Sequence, residues 1–338
     1  NYILQGRYPE VRNVTYIAFT LVFLVVLAGS VVRMTGSGMG CPDWPKCFGL
    51  LIPPTSEDQI RWSTNSEYDE GQMVIENDTL WQASSAHVST GFDFEPTDLW
   101  VPYNKHDYAE FNAFHTWVEY INRLLGALSG IPILLLFSLA LTSRKVIPIT
   151  LASGTLISVL FVSWLGKLVV DGNLIPFSVT IHAVCALAIL GFLVGMMQHL
   201  NGSRVQIPKS TRWLIIASFA FAFLQLVLGT QVREQVDILL EYGVARHDIL
   251  DSLPTWWKIH RTAVWPLLLL HLAWAIPATK FEVIQSFAWI TIGILIAQTL
   301  TGFLFSNLGM PALVQPAHIL LAFGLILVDL RVLLASKV

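Results

Sequence analysis

The feature that most constrains the fold of this chain is a series of eight apolar stretches, each close to the roughly 20 residues that a helix needs to cross a bilayer. They cover about residues 14–32, 117–141, 146–169, 176–198, 212–232, 259–279, 283–305 and 313–335. Only 13% of the 338 residues are Asp, Glu, Lys or Arg, about half the share in a soluble domain. The sequence therefore predicts an all-α polytopic membrane protein with eight transmembrane helices, and it excludes a soluble fold.

Charged residues are distributed unevenly between the two sides that eight spans define. The side with both termini carries ten Lys and Arg against three acidic residues, Glu10, Glu282 and Asp329, whereas the other side carries ten against twenty. Short cytoplasmic loops are enriched in Lys and Arg, so we expect both termini in the cytoplasm. The net charge of −3 gives no basic excess, so we expect no nucleic-acid partner.

The longest predicted outer loop, residues 33–113, is strongly acidic, with 13 acidic residues against four basic ones. It also contains Trp62, Trp81 and Trp100. Buried aromatic anchors of this kind indicate a small folded cap rather than a free tail. A lid over the helices and a docking surface for a partner are both compatible with its composition.

Three short matches relate the two halves of the chain. Residues 29–33 match 229–233, residues 121–123 match 259–261, and Gly166 with His182 matches Gly302 with His318. The offset between matched positions falls from 200 to 138 across the outer loop, which marks that loop as an insertion. We therefore predict two pseudo-repeated four-helix bundles, residues 1–198 with the 33–113 cap, and residues 199–338.

Three of the nine histidines lie in spans at repeat-related places: His182, His260 and His318. His260 and His318 lie at similar depth near the outer ends of their spans, which predicts a bis-histidine haem site in the second bundle. Arg261 beside His260 is a candidate partner of the haem propionates. His271, three turns below His260, is expected to be a hydrogen-bonded packing residue.

In the first bundle the position of His260 is occupied by Asn122, an amide that is a poor iron ligand. Glu119 lies one turn before Asn122 on the same face, and Arg123 follows it as Arg261 follows His260. A haem held by His182 alone would therefore have an open face beside a carboxylate, which suits chemistry rather than electron transfer.

An alternative is that another histidine supplies the missing ligand. His115 lies two turns from Asn122 on the same helical face, about 10 Å along a straight helix. His87 and His106, in the predicted outer loop, are the other candidates.

Gly126 and Gly130 form a G-x-x-x-G motif in the second span. In membrane helices this motif most often indicates close helix packing. The alternative is that these glycines leave room for a porphyrin.

Together these residues resemble the haem A synthase family. The resemblance rests on residues 36–47 (Gly-Ser-Gly-Met-Gly-Cys-Pro-Asp-Trp-Pro-Lys-Cys), Glu119 with Arg123, His182, His260-Arg261 and His318. It implies eight spans in two bundles, a haem b cofactor in the second bundle, and haem O bound as substrate in the first. It also implies a membrane haem-dependent oxidoreductase that oxidises the C8 methyl of haem O to a formyl, giving haem A for terminal cytochrome oxidases.

The resemblance also implies roles for single residues. His260 and His318 would bind the iron of haem b, His182 that of the substrate haem, and Glu119 would be the catalytic acid. Arg123 and Arg261 would contact propionates. Cys41 and Cys47 would be the family's redox-active or structural pair, for which a disulfide in an outward-facing loop is the simpler interpretation.

This sequence departs from the family pattern at Asn122, where the motif has a histidine, and in residues 234–258, which lack the cysteine pair of some members. The first departure keeps a second function open: a diheme b-type electron carrier or oxidase assembly subunit that leaves haem unaltered. Expected partners are the lipid bilayer, an unidentified electron donor, haem O synthase and oxidase assembly proteins. The expected location is the bacterial plasma membrane or, alternatively, the mitochondrial inner membrane.

Overall fold

The computed structural model describes residues 2–105, 111–172 and 177–338, with side chains from residue 9 onward, and it is mostly helical. Within these residues eight helices are long and apolar enough to cross a membrane, which confirms the predicted fold class. They are Pro9–Thr35, Ala113–Ser143, Val146–Asp171, Ser178–Asn201, Lys209–Glu241, Trp256–Ala278, Glu282–Asn307 and Val314–Ala335.

The helices are labelled in chain order. They are α1 (Tyr2–Thr35), α2 (Ala113–Ser143), α3 (Val146–Asp171), α4 (Ser178–Asn201), α5 (Lys209–Glu241), α6 (Ile249–Ser252), α7 (Trp256–Thr262), α8 (Val264–Ala278), α9 (Glu282–Asn307) and α10 (Val314–Ala335). The 3₁₀ turn Glu57–Ile60 precedes the strands of the outer loop.

The sixth span consists of two helices, α7 and α8, interrupted at Ala263. Pro266 follows the interruption and has no amide hydrogen to donate to the carbonyl of Thr262, four residues earlier. The proline ring also crowds that carbonyl, so the α7 helix ends at Thr262.

The chain divides into two compact units, which are described separately. The bundle unit comprises Asn1–Ser30, Leu125–Val162 and Val179–Val338, and the cap unit comprises Val31–Leu124 and Ser163–Ser178. The predicted boundary between residues 198 and 199, and the pseudo-repeat itself, stay predictions.

All eight spans contribute to the largest apolar core of the bundle unit, with Ala18, Leu136, Leu190 and Phe323 among its buried members. Within this unit α5 packs against α8, α8 against α9, α9 against α10, and α10 against α5. These four helices therefore form a closed ring in which α8 and α10 face each other diagonally.

The charge count placed Asp329 in a cytoplasmic connection, and the structure corrects this. Asp329 lies inside α10 and its side chain is fully buried. Asp329 is only six residues from the end of the last apolar stretch, where sequence alone does not distinguish a charge inside the helix from one beyond its end. The charge count therefore assigned it to the wrong place.

The cap unit contains short antiparallel strands. They are β1 (Glu67–Tyr68), β2 (Met73–Glu76), β3 (Thr79–Ala83), β4 (His87–Val88) and β5 (Trp100–Pro102), paired as β1–β4 and β2–β3–β5. Trp100 is buried, and Trp62 and Trp81 pack around it as the cap's aromatic core. In the bundle unit, β6 (Val205–Gln206) pairs in parallel with β7 (Ser336–Lys337).

Candidate functional site

The imidazoles of His260 and His318, predicted from the sequence as an axial pair, lie next to each other inside the bundle unit with their ring planes 73° apart. Their ring centres are 6.4 Å apart and both side chains are partly buried. Two imidazoles that bind one metal from opposite faces have ring centres about 6 Å apart, because each metal–nitrogen bond is about 2 Å and each ring centre lies about 1 Å further out. The observed separation therefore fits a shared iron.

The hydrogen bonds of His260 assign its tautomer. Its Nδ1 lies 3.0 Å from Oε1 of Gln225, an atom that can only accept, so Nδ1 carries the proton. The amide nitrogen of Gln225 donates in turn to the His260 carbonyl at 3.1 Å. Nε2 of His260 is consequently the unprotonated atom, the form in which imidazole binds a metal.

His318 has the same tautomer, set by different residues. Thr301 donates its hydroxyl proton to the carbonyl of Gln298 at 2.9 Å and accepts from Nδ1 of His318 at 2.7 Å. The amide nitrogen of Gln298 lies 3.1 Å from Nε2 of His318, which again identifies Nε2 as the acceptor. The other amide atom, Oε1 of Gln298, is buried without a hydrogen-bond partner. An iron at Nε2 would replace this single weak contact.

Two glycines lie against the imidazole pair. A Cβ at Gly229 would come within 3.0 Å of Cε1 of His260, and one at Gly302 within 3.9 Å of Cε1 of His318. Both glycines were marked by the sequence repeat, and their lack of a side chain leaves space beside the rings. Arg261 is exposed and stacks on the ring of Trp257 at 4.8 Å.

Glu119 and Arg123 lie in the cap unit, where they hold the loop closed by Cys41 and Cys47. The structure joins these cysteines by a disulfide, with Cα atoms 4.9 Å apart. Glu119 accepts the amide hydrogen of Cys41 through Oε2 at 2.8 Å, and its Oε1 is ion-paired with Arg123. Glu119 is thus a buried carboxylate whose two oxygens are both engaged.

Arg123 donates mainly to backbone carbonyls of the same loop. Its Nη1 donates to the carbonyls of Asp43 at 2.5 Å and Lys46 at 3.0 Å, and Nη2 contacts that of Cys41 at 3.4 Å. Burial raises the pKa of the Asp43 carboxyl, an effect opposed by the Gly49 amide, which donates to it. Sequence reasoning assigned Arg123 to cofactor binding and missed this role, because an arginine in a sequence gives no signal for carbonyl partners.

His115, an alternative ligand in the sequence interpretation, is hydrogen-bonded within the cap unit. Its Nδ1 lies 2.8 Å from the hydroxyl of Ser37. Gly40 approaches the His115 carbonyl so closely that a Cβ there would overlap it, and the Gly40 carbonyl accepts from Thr116 at 2.8 Å.

The remaining first-half residues are placed as follows. Oδ1 of Asn122 is buried without a hydrogen-bond partner. His87 lies on β4 in the cap, in ring contact with Trp100, and His106 lies outside the described residues. His182 lies in the first turns of α4, in the bundle unit, and is partly buried.

Gly126 and Gly130 of α2 have open space where a side chain would be. A Cβ at either would meet no heavy atom of another described residue within 4 Å. Close helix packing is therefore not the reason for glycine here, and the interpretation that the two residues leave space for a ligand is retained.

Eight apolar spans with two metal-competent imidazoles inside a helical bundle define a class of protein, a polytopic membrane protein with a candidate haem-binding bundle. Comparison with known families is more specific. The family model COX15-CtaA, described as cytochrome oxidase assembly protein, matches residues 12–73 and 69–330, and the chain belongs to this family.

Two curated relatives are similar over a large part of the chain. Heme A synthase of Shewanella oneidensis is 24% identical over 212 residues, which cover 62% of this chain and 52% of the relative. Heme A synthase of Roseobacter denitrificans is 25% identical over 251 residues, 68% of this chain and 57% of the relative. The chain thus aligns with little more than half the length of either. The family assignment inferred from the sequence is confirmed.

Proposed function

We propose that this chain is a haem A synthase that oxidises the C8 methyl of haem O to a formyl, giving haem A for terminal cytochrome oxidases. Its family and the names of its relatives support the proposal. The observation that carries it is the His260–His318 pair, with unprotonated Nε2 atoms and ring centres 6.4 Å apart.

Haem b is the proposed cofactor of the second half, and when bound it supplies one-electron transfer. His260 and His318 would hold it through Nε2, while Gln225 and Thr301 keep the protons on Nδ1. The exposed guanidinium of Arg261 is the proposed partner of a propionate.

Haem O is the proposed substrate of the first half, with His182 as the ligand of its iron. Open space at Gly126 and Gly130 supports a large planar ligand beside α2. Glu119 is the proposed catalytic acid, and Arg123 the proposed partner of a propionate of haem O. Because both now hold the disulfide loop, they would have to exchange hydrogen bonds with that loop before serving the substrate.

The proposed setting is a bacterial plasma membrane with both termini in the cytoplasm, and a mitochondrial inner membrane is the alternative. An unidentified electron donor, haem O synthase and cytochrome oxidase assembly proteins are the proposed partners. The lipid bilayer follows from the eight spans.

The test is expression together with a haem O synthase in a host that makes no haem A, followed by extraction and analysis of the pigments. We expect haem A from the native chain and from His247→Ala, a control at an exposed histidine. His318→Met should abolish haem A and alter the b-type absorption spectrum. If aerated cells that express the native chain contained only unaltered haem O, the proposal would be contradicted.

Two observations favour a second function: Asn122 is not a haem ligand type, and the carboxylate oxygens of Glu119 are engaged by Cys41 and Arg123. A diheme b-type electron carrier or oxidase assembly subunit needs no acid at an open iron. The same pigment analysis separates the two, because a carrier would yield b-type haem and unchanged haem O.

A further inference from the structure

A second polar pair lies inside the ring formed by α5, α8, α9 and α10, further along the two spans that carry His260 and His318. His271 of α8 and Asp329 of α10 are fully buried, with Nε2 3.0 Å from Oδ2. His271 is 11 residues after His260 in the sixth span, and Asp329 is 11 residues after His318 in the eighth. At the rise of an α-helix, 11 residues are about 16 Å, so the second pair lies roughly three turns further along the same two spans.

The other two helices of the ring bring a buried hydroxyl to the same level. Ser218 of α5 and Thr291 of α9 are fully buried. On each of the four helices, the polar residue is three positions from a member of one apolar cluster, always on the side away from the chain termini. The cluster members are Ile215 for Ser218, Trp274 for His271, Ala288 for Thr291 and Val332 for Asp329. Residues three apart adjoin on one helix face. We call Ser218, His271, Thr291 and Asp329 the polar layer.

Three oxygens of the polar layer have no hydrogen-bond partner among the residues that the structure describes: Oγ of Ser218, Oγ1 of Thr291 and Oδ1 of Asp329. A buried polar atom without a partner costs free energy, so a layer with three of them calls for a function. Ionisable residues at this depth of a membrane helix most often serve proton or ion chemistry.

The pair itself holds one shared proton. His271 donates through Nδ1 to the carbonyl of Leu267 at 2.8 Å, so a single further hydrogen lies between its Nε2 and Oδ2 of Asp329. The pair is then neutral overall, whichever atom carries that hydrogen. Oδ1 of Asp329 remains as the vacant acceptor for a second proton.

We propose that the polar layer is an internal proton-binding site coupled to the redox state of the haem above it, an inference that rests on haem b binding at His260 and His318. When a one-electron reductant converts the ferric iron to ferrous, one proton from water binds Oδ1 of Asp329. The electron goes to the iron, the proton to the carboxyl, and the net charge of the bundle interior is unchanged.

The helices packed around the pair, as far as the structure describes them, bring no other ionisable side chain of the polar layer to it, so His271 and Asp329 are its proton-binding groups. Among the described residues, α5 and α9 bring only the neutral hydroxyls of the polar layer to it. Other ionisable side chains of the packed helices lie toward the ends where the termini are: Arg212 of α5, bonded to the Ser336 carbonyl; Arg331 of α10, over Phe287 and near Tyr16 of α1; Glu282 at the start of α9; and His199 at the end of α4.

The experiment measures the haem midpoint potential of the purified haem-loaded full chain as a function of pH. In the native protein the potential should fall as pH rises, because reduction takes up a proton. Asp329→Asn keeps the shape and a neutral hydrogen bond to His271, but an amide cannot take up a proton as a carboxylate does. The part of the potential's pH dependence that is due to this site should therefore be lost. Glu282→Gln, which removes an exposed carboxylate from the same ring, should retain it.

A second measurement needs no variant. Infrared difference spectra between oxidised and reduced native protein, labelled with ¹³C-aspartate, should show a protonated aspartic carboxyl appearing on reduction. Identical pH dependence in native and Asp329→Asn proteins, or no such labelled band, overturns the proposal. The b-type spectrum is recorded before either measurement. Its absence would contradict the proposed function rather than the proton-binding proposal.

Discussion

Glu119 accepts the amide hydrogen of Cys41 at 2.8 Å and is ion-paired with Arg123, so one buried carboxylate fixes both the start of the disulfide loop and the arginine that binds the rest of it. A residue assigned to catalysis from the sequence therefore also helps to attach the loop to α2, both directly and through Arg123. This dual engagement leads to the first prediction.

Glu119→Gln should destabilise the cap unit. The side chains of Glu119 and Arg123 are 7% and 14% exposed, and removing one partner of a buried ion pair costs about 3 kcal/mol because the other charge stays buried. We expect a lower apparent unfolding temperature and faster reduction of the Cys41–Cys47 disulfide by dithiothreitol.

The matched control is Glu57→Gln. Glu57 and Arg61 form an ion pair with the same four-residue spacing in the same unit, but their side chains are 45% and 51% exposed. Exposed pairs contribute about 0–1 kcal/mol, so this variant should behave like the native chain. Equal effects of the two substitutions would show that burial of the Glu119 pair is unimportant.

Thr301→Val should weaken haem b binding by about tenfold or more, because loss of the partner of a ligating imidazole typically costs 10–100-fold in affinity. The hydroxyl of Thr301 accepts from Nδ1 of His318, whereas that of Thr299, on the same helix, only donates to the Leu295 carbonyl. Thr299→Val is therefore the control. The measurement is titration of the Thr301→Val and Thr299→Val apoproteins with haem. Equal affinities of the two variants would contradict the prediction.

Gly229→Ala should disturb the imidazole of His260. The new methyl would lie 3.0 Å from Cε1, and the ring, held by Gln225, would have to move. We expect a shifted b-type spectrum and weaker haem binding. Gly293→Ala of α9, whose Cβ would meet nothing within 4 Å, should leave the spectrum unchanged. A native spectrum in Gly229→Ala would place the haem away from His260.

Tyr103 should remain protonated well above the usual range of a phenol. Burial, followed by the nearby Asp43 and Asp171, raises its pKa from 10.0 to about 12, and it donates to the Pro42 carbonyl at 2.5 Å. Since the folded-state pKa is raised, the stabilisation from this group is complete below pH 10 and is lost as pH rises through about 12.

Alkaline titration of tyrosine absorbance checks this prediction. The native protein should show one more phenol that ionises near pH 12 than Tyr103→Phe does. Tyr242→Phe removes an exposed phenol and should leave the late step in place. A late step that persists in Tyr103→Phe would contradict the assignment.

The spans were predictable because a bilayer requires apolar length, which is visible in sequence. Their ends were less so: the first span was expected over 14–32, whereas α1 runs Tyr2–Thr35. Polar residues continue the helix beyond the apolar core, and hydropathy detects only that core. The short strands of the cap are too brief to give a clear alternating pattern.

The histidine pair was predictable from the internal repeat, but its supporting residues were not. Gln225 and Thr301 correspond by the same offsets to Val25 and Leu165, so the repeat gives no signal for them. Asp329 was missed as the partner of His271, because two residues 58 positions apart reveal their contact only when the helices are packed.

The interruption at Ala263 separates His260 from the rest of its span. His260 lies on a seven-residue helix, α7, whereas its deeper neighbour His271 lies on α8 beyond the joint. In the proposed haem complex one iron ligand, His260, would therefore belong to a short helix that is separate from α8 and its packing in the ring of four helices.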